Sequence, residues 1–381
     1  MKTKVLKLTA VFSVLLGLNQ VQAQLGDTIN VVTTAVPFLR ISADARAGGM
    51  GDLGIATSAD ANSGFYNLAK TPFAKKKMNF GLTYTPWLKD LGLGDVYLLA
   101  LGGYKQMDDD QAISLGVRYF SLGDIQFTDN TGNDIGNGRP REFGLDAGYS
   151  RKLSDKMGIG LSIRYIHSNL AGNIPVGSTT YKPGNAVAGD LSFFYTGIKK
   201  DGSGWNIGAT LTNLGSKIGY TNDATQKDYI PANLGIGATY TKSFDETNQI
   251  TFGLDMHKLM VPTPPSAFDS LGILDYRSKS VVSSWFSSFG DAPGGFKEEL
   301  RELYFSLGME YTYNDQFMVR AGYFYEDKTK GNRKFFTVGF GIKYNVFGIN
   351  FSYLVPSGQG INRNPLSNTL RFGLIFDLDT E

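Results

Sequence analysis

From Lys77 onward, hydrophobic and polar positions alternate with a period of two. In "ELYFSLGMEYTYN", Leu303, Phe305, Leu307, Met309, Tyr311 and Tyr313 fall on one face, while Tyr304, Ser306, Gly308, Glu310 and Thr312 fall on the other. A helix would mix the two sets, whereas an extended strand keeps them apart. "KFFTVGFGIKYN" opposes Phe336, Val338, Phe340, Ile342 and Tyr344 to Thr337, Gly339, Gly341 and Lys343, and "MGIGLSIRYIH" and "NTLRFGLIFDL" divide in the same way. The pattern predicts fourteen strands, starting near Met78, Val96, Ala112, Arg141, Met157, Ala186, Trp205, Asn233, Gln249, Glu302, Phe317, Phe335, Phe347 and Thr369. Strands of about ten residues suit a tilted membrane crossing; soluble strands average about five or six.

The connections sort by length. Even-numbered ones are tight, as in "KQMDDDQ", "RKLSDK", "KKDGSG" and "YND", and most odd-numbered ones are long, up to the stretch from Val261 to Arg301. Short turns on one side and long loops on the other, with an even strand count, are the topology of a bacterial outer-membrane barrel. The expected fold is therefore all-β, a 14-stranded antiparallel transmembrane β-barrel. Its apolar face meets outer-membrane lipid, with Tyr84, Tyr149, Tyr240 and Tyr353 in the interfacial girdles. The opposite face carries Arg118, Asp146, Arg164, Asp190, Asp255, Glu310, Arg320, Glu326, Lys343 and Arg371. Mixed signs on an inward face are expected to pair.

The start of the chain adds a compartment. Lys2, Lys4 and Lys7 precede the apolar run "LTAVFSVLLGL", and Val21 and Ala23 stand before a cut at Ala23/Gln24. Residues 1–23 read as a secretory signal peptide, too short to span a bilayer. Residues 24–73 lack alternation and residues 74–381 form the barrel with its long loop 261–301.

Composition narrows the chemistry. The chain has no Cys, which excludes disulfides, thiolate metal sites and a lipid anchor. With 37 basic and 35 acidic residues the net charge is +2, giving no case for a nucleic-acid partner. Mean hydropathy is -0.15, which a barrel tolerates because alternating strands hide from hydropathy windows. His167 and His257 are far apart and no G-x-S-x-G elbow is present, so no enzyme is indicated and no cofactor is expected. "DNTGNDIGNG", Asp129 to Gly138, is acidic and Gly-rich but lacks the order of a calcium loop.

"GGMGDLGIAT", Gly48 to Thr57, contains a G-x-G-x-x-G at Gly49, Gly51 and Gly54. A dinucleotide turn needs a preceding strand and a following helix, and neither is indicated. Fourteen strands leave room inside a barrel that eight would fill. The segment from Gln24 to Phe73 is expected to fold into that lumen as a plug. Gly48, Gly49, Gly51, Gly54 and Asn67 would then pack closely against the wall.

The stretch "DARAGGMGDLGIATSADANSGFYNLAKTPF" resembles the N-terminal segment of the FadL superfamily of fourteen-stranded barrels, whose pattern reads N-P-A where this chain has Asn67, Leu68 and Ala69. "SSWFSSFGDAPGGFKEELREL", Ser283 to Leu303, resembles the PorV family, the FadL-like outer-membrane components of the type IX secretion system. That resemblance implies a carrier that binds the large translocon barrel. It would take up secreted cargo through a C-terminal signal domain and deliver it to an attachment complex with a sortase-like member. The alternative is a passive transporter of hydrophobic small molecules. Within the long loop, "GGFKEELREL" reads as a short helix with Phe296, Leu300 and Leu303 on one face. Trp285, Phe286, Phe289, Phe296 and Leu300 are the expected docking residues, since clustered aromatics anchor interfaces.

Overall fold

The computed structural model describes residues 29–378 other than 130, 173–174, 177–178, 224–225, 266–268, 356–365 and 367. The expected signal peptide, residues 1–23, lies outside the described residues, as do residues 24–28 and most of the last long connection.

Fourteen strands form one closed antiparallel barrel. They are β1 (Met78–Pro86), β2 (Val96–Gln106), β3 (Gln111–Leu122), β4 (Arg141–Ser154), β5 (Met157–Asn169), β6 (Gly184–Thr196) and β7 (Gly204–Gly215). Then follow β8 (Asn233–Ser243), β9 (Asn248–Leu259), β10 (Tyr304–Tyr313), β11 (Phe317–Tyr325), β12 (Lys334–Tyr344), β13 (Phe347–Leu354) and β14 (Leu370–Leu378). Each pairs with its neighbour in the chain, and β14 closes on β1 in the register Met78↔Leu378. Closure leaves no unpaired strand edge, the condition for crossing lipid with strands. No helix among the described residues is long and apolar enough to cross a membrane.

The predicted strand count, order and faces hold. Outward positions are apolar and exposed, with Leu115 at 69% and Ile163 at 68%, while their neighbours Ser114 and Arg164 are buried. Cross-strand aromatic pairs ring the outer surface, among them Trp205–Tyr240 at 4.9 Å and Phe143–Tyr165 at 6.2 Å between ring centroids. Such pairs suit the two interfacial levels of a bilayer. The largest boundary errors are two residues, at β6, which starts at Gly184 instead of Ala186, and at β10, which starts at Tyr304 because a helix occupies the residues before it.

Three of the long connections contain small hairpins among the described residues: Ile125–Thr128 with Asp134–Gly138, Pro175–Val176 with Thr179–Thr180, and Ile218–Gly219 with Lys227–Asp228. In the first, the Asp129 carboxylate accepts from the backbone and side chain of both Thr131 and Asn133, and this shapes the turn.

The core lies inside the barrel, at the end with the long loops. Val36, Phe38 and Leu39 pack with Val96, Leu98, Phe120 and Ile166 of the wall, and Phe38 stacks on Phe120 at 6.3 Å. An apolar cluster on an otherwise polar inner face needs a partner from outside the strands, and the segment before β1 supplies it.

Candidate functional site

Residues 29–73 run along the inner surface of the wall. A short helix, α1 (Ala45–Gly49), packs against β11 to β14, and a 3-10 turn, Leu68–Phe73, packs against β4, β5 and β6. Asp44 caps α1 by accepting from Ala47 N at 2.6 Å. The glycines mark the closest approaches. A Cβ on Gly48 would stand 2.8 Å from the Arg371 side chain, and one on Gly49 3.0 Å from Gly339 Cα. Gly51 has φ +69°, and a Cβ there would meet the Tyr323 backbone at 2.7 Å. A Cβ on Gly54 would strike the Tyr66 ring. Gly49 ends a five-residue helix instead of following a strand, and turns follow it, so the G-x-G-x-x-G has no βαβ context.

Hydrogen bonds fasten the same segment. Gly51 N donates to Thr337 Oγ1 at 2.9 Å, and Gly54 N and Ile55 N both donate to Asp255 Oδ2, at 2.8 and 2.9 Å. Asn67 accepts from Ala69 N and donates to Ile55 O and Phe193 O. Lys70 is fully enclosed and donates to Gly54 O at 2.7 Å and Thr57 Oγ1 at 2.9 Å.

Most inward charges of the strands are paired, whereas Asp255, also expected to pair, accepts among the described residues only from the backbone of Gly54 and Ile55. Arg46 of α1 binds Glu310 through two nitrogens at 3.0 and 2.7 Å, and Asp60 at 2.9 Å. Arg320 shares Glu310 at 2.6 Å. Asp146 lies between Arg164 and Arg118, Arg164 also binds Asp190 at 2.9 Å, and Glu326 lies between Arg40 and Arg333. Removing one member of a buried pair typically costs about 3–5 kcal/mol, so these contacts resist piecemeal change.

The second element is the long loop. Among its described residues it holds three helices, α2 (Ser270–Ser278), α3 (Val281–Ser287) and α4 (Phe296–Arg301). Only α4 was anticipated, and it ends at Arg301, so Leu303 lies beyond it in the link to β10 instead of completing its apolar face. The others had local signals in Asp269 and Ser280, which accept from Gly272 N and Ser283 N as N-caps. Two of the helices, α2 and α4, are anchored to neighbouring connections and to the end of β9. Lys217 Nζ donates to Arg277 O and Lys279 O, and Tyr229 OH to Tyr276 O and Lys279 O, satisfying carbonyls at the C-terminal end of α2. Lys258 at the end of β9 binds Glu299 at 3.0 Å and Glu302 at 2.6 Å, and Lys330 binds Glu298 at 2.5 Å and Glu302 at 2.9 Å. Asp291 accepts from Thr263 N and Oγ1, and burial pushes its carboxyl above the ordinary aspartate range.

On this framework Phe286 is 73% and Phe296 76% exposed. Phe289 and Leu300 are also exposed, whereas Trp285 is half-buried and Lys258 sits over the Phe289 ring. Of the five expected docking residues, four therefore face outward from a loop that ion pairs hold in place.

A family model described as "Type IX secretion system protein PorV" matches residues 24–266. Among solved structures, the Ralstonia pickettii toluene transporter TbuX is similar with a TM-score of 0.55 at 12% identity, over 87% of this chain and 97% of that one. The CymD monoaromatic hydrocarbon channel gives 0.52 at 14% identity over 89% and 98%. The P. putida toluene transporter TodX gives 0.51 at 13% identity over 90% and 99%. At these identities the likeness is one of fold. No curated protein matches the chain significantly.

Proposed function

The chain belongs to the PorV family of type IX secretion system proteins, and from that premise we propose that it is the carrier which brings secreted cargo from the large translocon barrel to the cell-surface attachment complex. The family and the barrel fold are both of non-enzymatic types, and the outward apolar band suits an outer-membrane protein. In this reading cargo is engaged through its C-terminal signal domain, and a sortase-like partner receives it.

The observation that carries the proposal is the exposed aromatic surface of the long loop. Phe286, Phe289, Phe296 and Leu300 are costly to leave in water on an isolated loop. Ion pairs from Lys258 and Lys330 hold α4, which carries Phe296 and Leu300, so little ordering entropy would be lost there on docking. The long-loop lengths support an exterior placement of this side, where in this reading translocon and cargo meet it.

Residues 29–73 act, in the same proposal, as a permanent lumen plug. Backbone contact at Gly49 and Gly51 and the Arg46–Glu310 pair support that role. The competing transporter reading has less support, because the lumen is lined by ion pairs that bridge the segment and the wall.

The test replaces Phe286, Phe289 and Phe296 with Ala and leaves half-buried Trp285 in place. The variant is expected to form a heat-modifiable barrel, lose the co-purifying translocon barrel and cargo, and stop secretion. Normal secretion by the folded triple variant would defeat the docking surface while leaving the fold intact.

A further inference from the structure

We propose that the long loop latches the first part of the lumen segment, residues 30–40. A partner that draws the loop away would then release these residues, and that step rests on the docking reading above. The latch itself rests on two other connections, each of which holds the segment and the loop at once. Between β7 and β8, the Tyr229 carbonyl accepts from Ala35 N at 2.9 Å, while the Tyr229 hydroxyl donates to Tyr276 O and Lys279 O at the end of α2. The Tyr229 ring packs with Val32 of the segment and meets the Tyr276 ring edge-on at 5.3 Å. Between β11 and β12, Thr329 O accepts from Asn30 N at 3.0 Å and Glu326 accepts from Arg40 at 3.3 Å. The adjacent Lys330, 6% exposed, binds Glu298 of α4 and Glu302 just beyond it.

The second observation is strain between these ties. Val36 has φ +47° and ψ +50°, in the left-handed region, which a β-branched residue rarely enters. It also precedes Pro37, and a residue before proline favours extended backbone. Such a conformation persists only where its surroundings hold it. Val36 is buried in the apolar cluster with Phe38, and it stands between Ala35, tied to Tyr229, and Arg40, tied to Glu326. With the connections loosened, Val36 relaxes toward extended backbone, and residues 30–35 then leave Phe38 in a different direction.

The third observation confines the release. Further along, Gly51 N is bonded to Thr337, and Gly54 N and Ile55 N to Asp255, both on strands of the wall. These bonds do not pass through the two connections, so loosening the loop frees residues 30–40 and leaves the rest of the segment seated.

The chain has no Cys, so one introduced thiol reports exposure by its rate of labelling with a soluble maleimide. Val32→Cys, at a position 7% exposed, reports on residues 30–40, and Ser63→Cys, at a position 0% exposed, reports on the part held by the wall. Each is measured on purified full-length protein in detergent, with and without the pair Tyr229→Phe and Lys330→Gln. That pair cuts the ties to α2 and α4 and keeps the backbone ties to Ala35 and Asn30. Labelling at Val32→Cys should become at least tenfold faster and labelling at Ser63→Cys should stay within twofold, with heat-modifiable migration verifying the barrel. Equal rates at Val32→Cys with and without the pair would overturn the latch, and equal acceleration at both reporters would overturn its confinement to residues 30–40. If the combined variant fails to fold, the reciprocal measurement decides, since coupling between two parts acts in both directions. Val32→Ala should then speed proteolysis of residues 261–301 severalfold, and unchanged proteolysis would overturn the latch. Neither assay contains a partner, so failure of the docking reading leaves both outcomes as they are.

Discussion

Gly51→Ala tests how the segment is held in the lumen. Three costs add at this one position. Ala must adopt φ +69°, in the left-handed region, at about 1–2 kcal/mol. Its Cβ would lie 2.7 Å from Tyr323 N and 2.8 Å from Tyr323 C and O, which are backbone atoms of β11 and cannot rotate aside. Overpacking of this kind costs about 1–3 kcal/mol. Moving the backbone away stretches the bond from Gly51 N to Thr337 Oγ1, now 2.9 Å, and an unpaired buried N–H costs about 1–3 kcal/mol. The lower reach of these figures, about 3 kcal/mol, shifts the seated-to-displaced ratio of the segment by more than 100-fold at about 1.4 kcal/mol per factor of ten. The ladders from β10 to β12 do not involve Gly51, so the wall stays closed. The assay pairs single-channel conductance in a planar bilayer with protease cleavage of residues 29–73. Gly51→Ala should conduct and be cleaved while still heat-modifiable. Gly49→Ala should act more weakly, since its Cβ would meet Gly339 Cα at 3.0 Å without a φ penalty. Gly94→Ala, with no atom within 4 Å, should behave as wild type. A folded Gly51→Ala barrel with wild-type conductance and protease resistance would refute the reasoning.

Unheated and boiled protein should migrate differently in a detergent gel, and recovery in the soluble periplasmic fraction would contradict the barrel. Lys258→Met leaves Glu299 and Glu302 without their shared cation, a loss of about 3–5 kcal/mol for a buried pair, so residues 261–301 should become protease-sensitive in an intact barrel. Asp291 is raised by burial, so the folded loop holds its proton more tightly than the unfolded one. Its contribution is present at low pH and lost as pH climbs above the ordinary value of 3.8 through the raised folded value. Loop protection, read by limited proteolysis, should fall over that window in the wild type and stay flatter in Asp291→Asn.

The sequence by itself determined the barrel. Alternation is a local property, because neighbouring side chains on a strand point to opposite faces whatever the strand pairs with. Thr337 and Val338 show it within one dipeptide, the first buried and the second facing outward. Turn residues such as those of "YND" and "KKDGSG" marked where each strand reverses, and the even count and sorted loops followed. The apolar residues of the long loop and the helical pattern after Gly295 were equally local.

Only the tertiary structure decided what stands opposite what. Arg46 meets Glu310 across 264 positions because of the path of the segment inside the barrel, and Lys258 meets Glu302 across 44 because the long loop returns to the end of β9 where β10 begins. No periodicity encodes that adjacency. The glycines of residues 48–54 had a legible composition but no legible reason. For Gly49 and Gly51 the reason is the backbone of β12 and β11, for Gly48 the Arg371 side chain of β14 and for Gly54 the Tyr66 ring, and these lie against them only in the folded barrel.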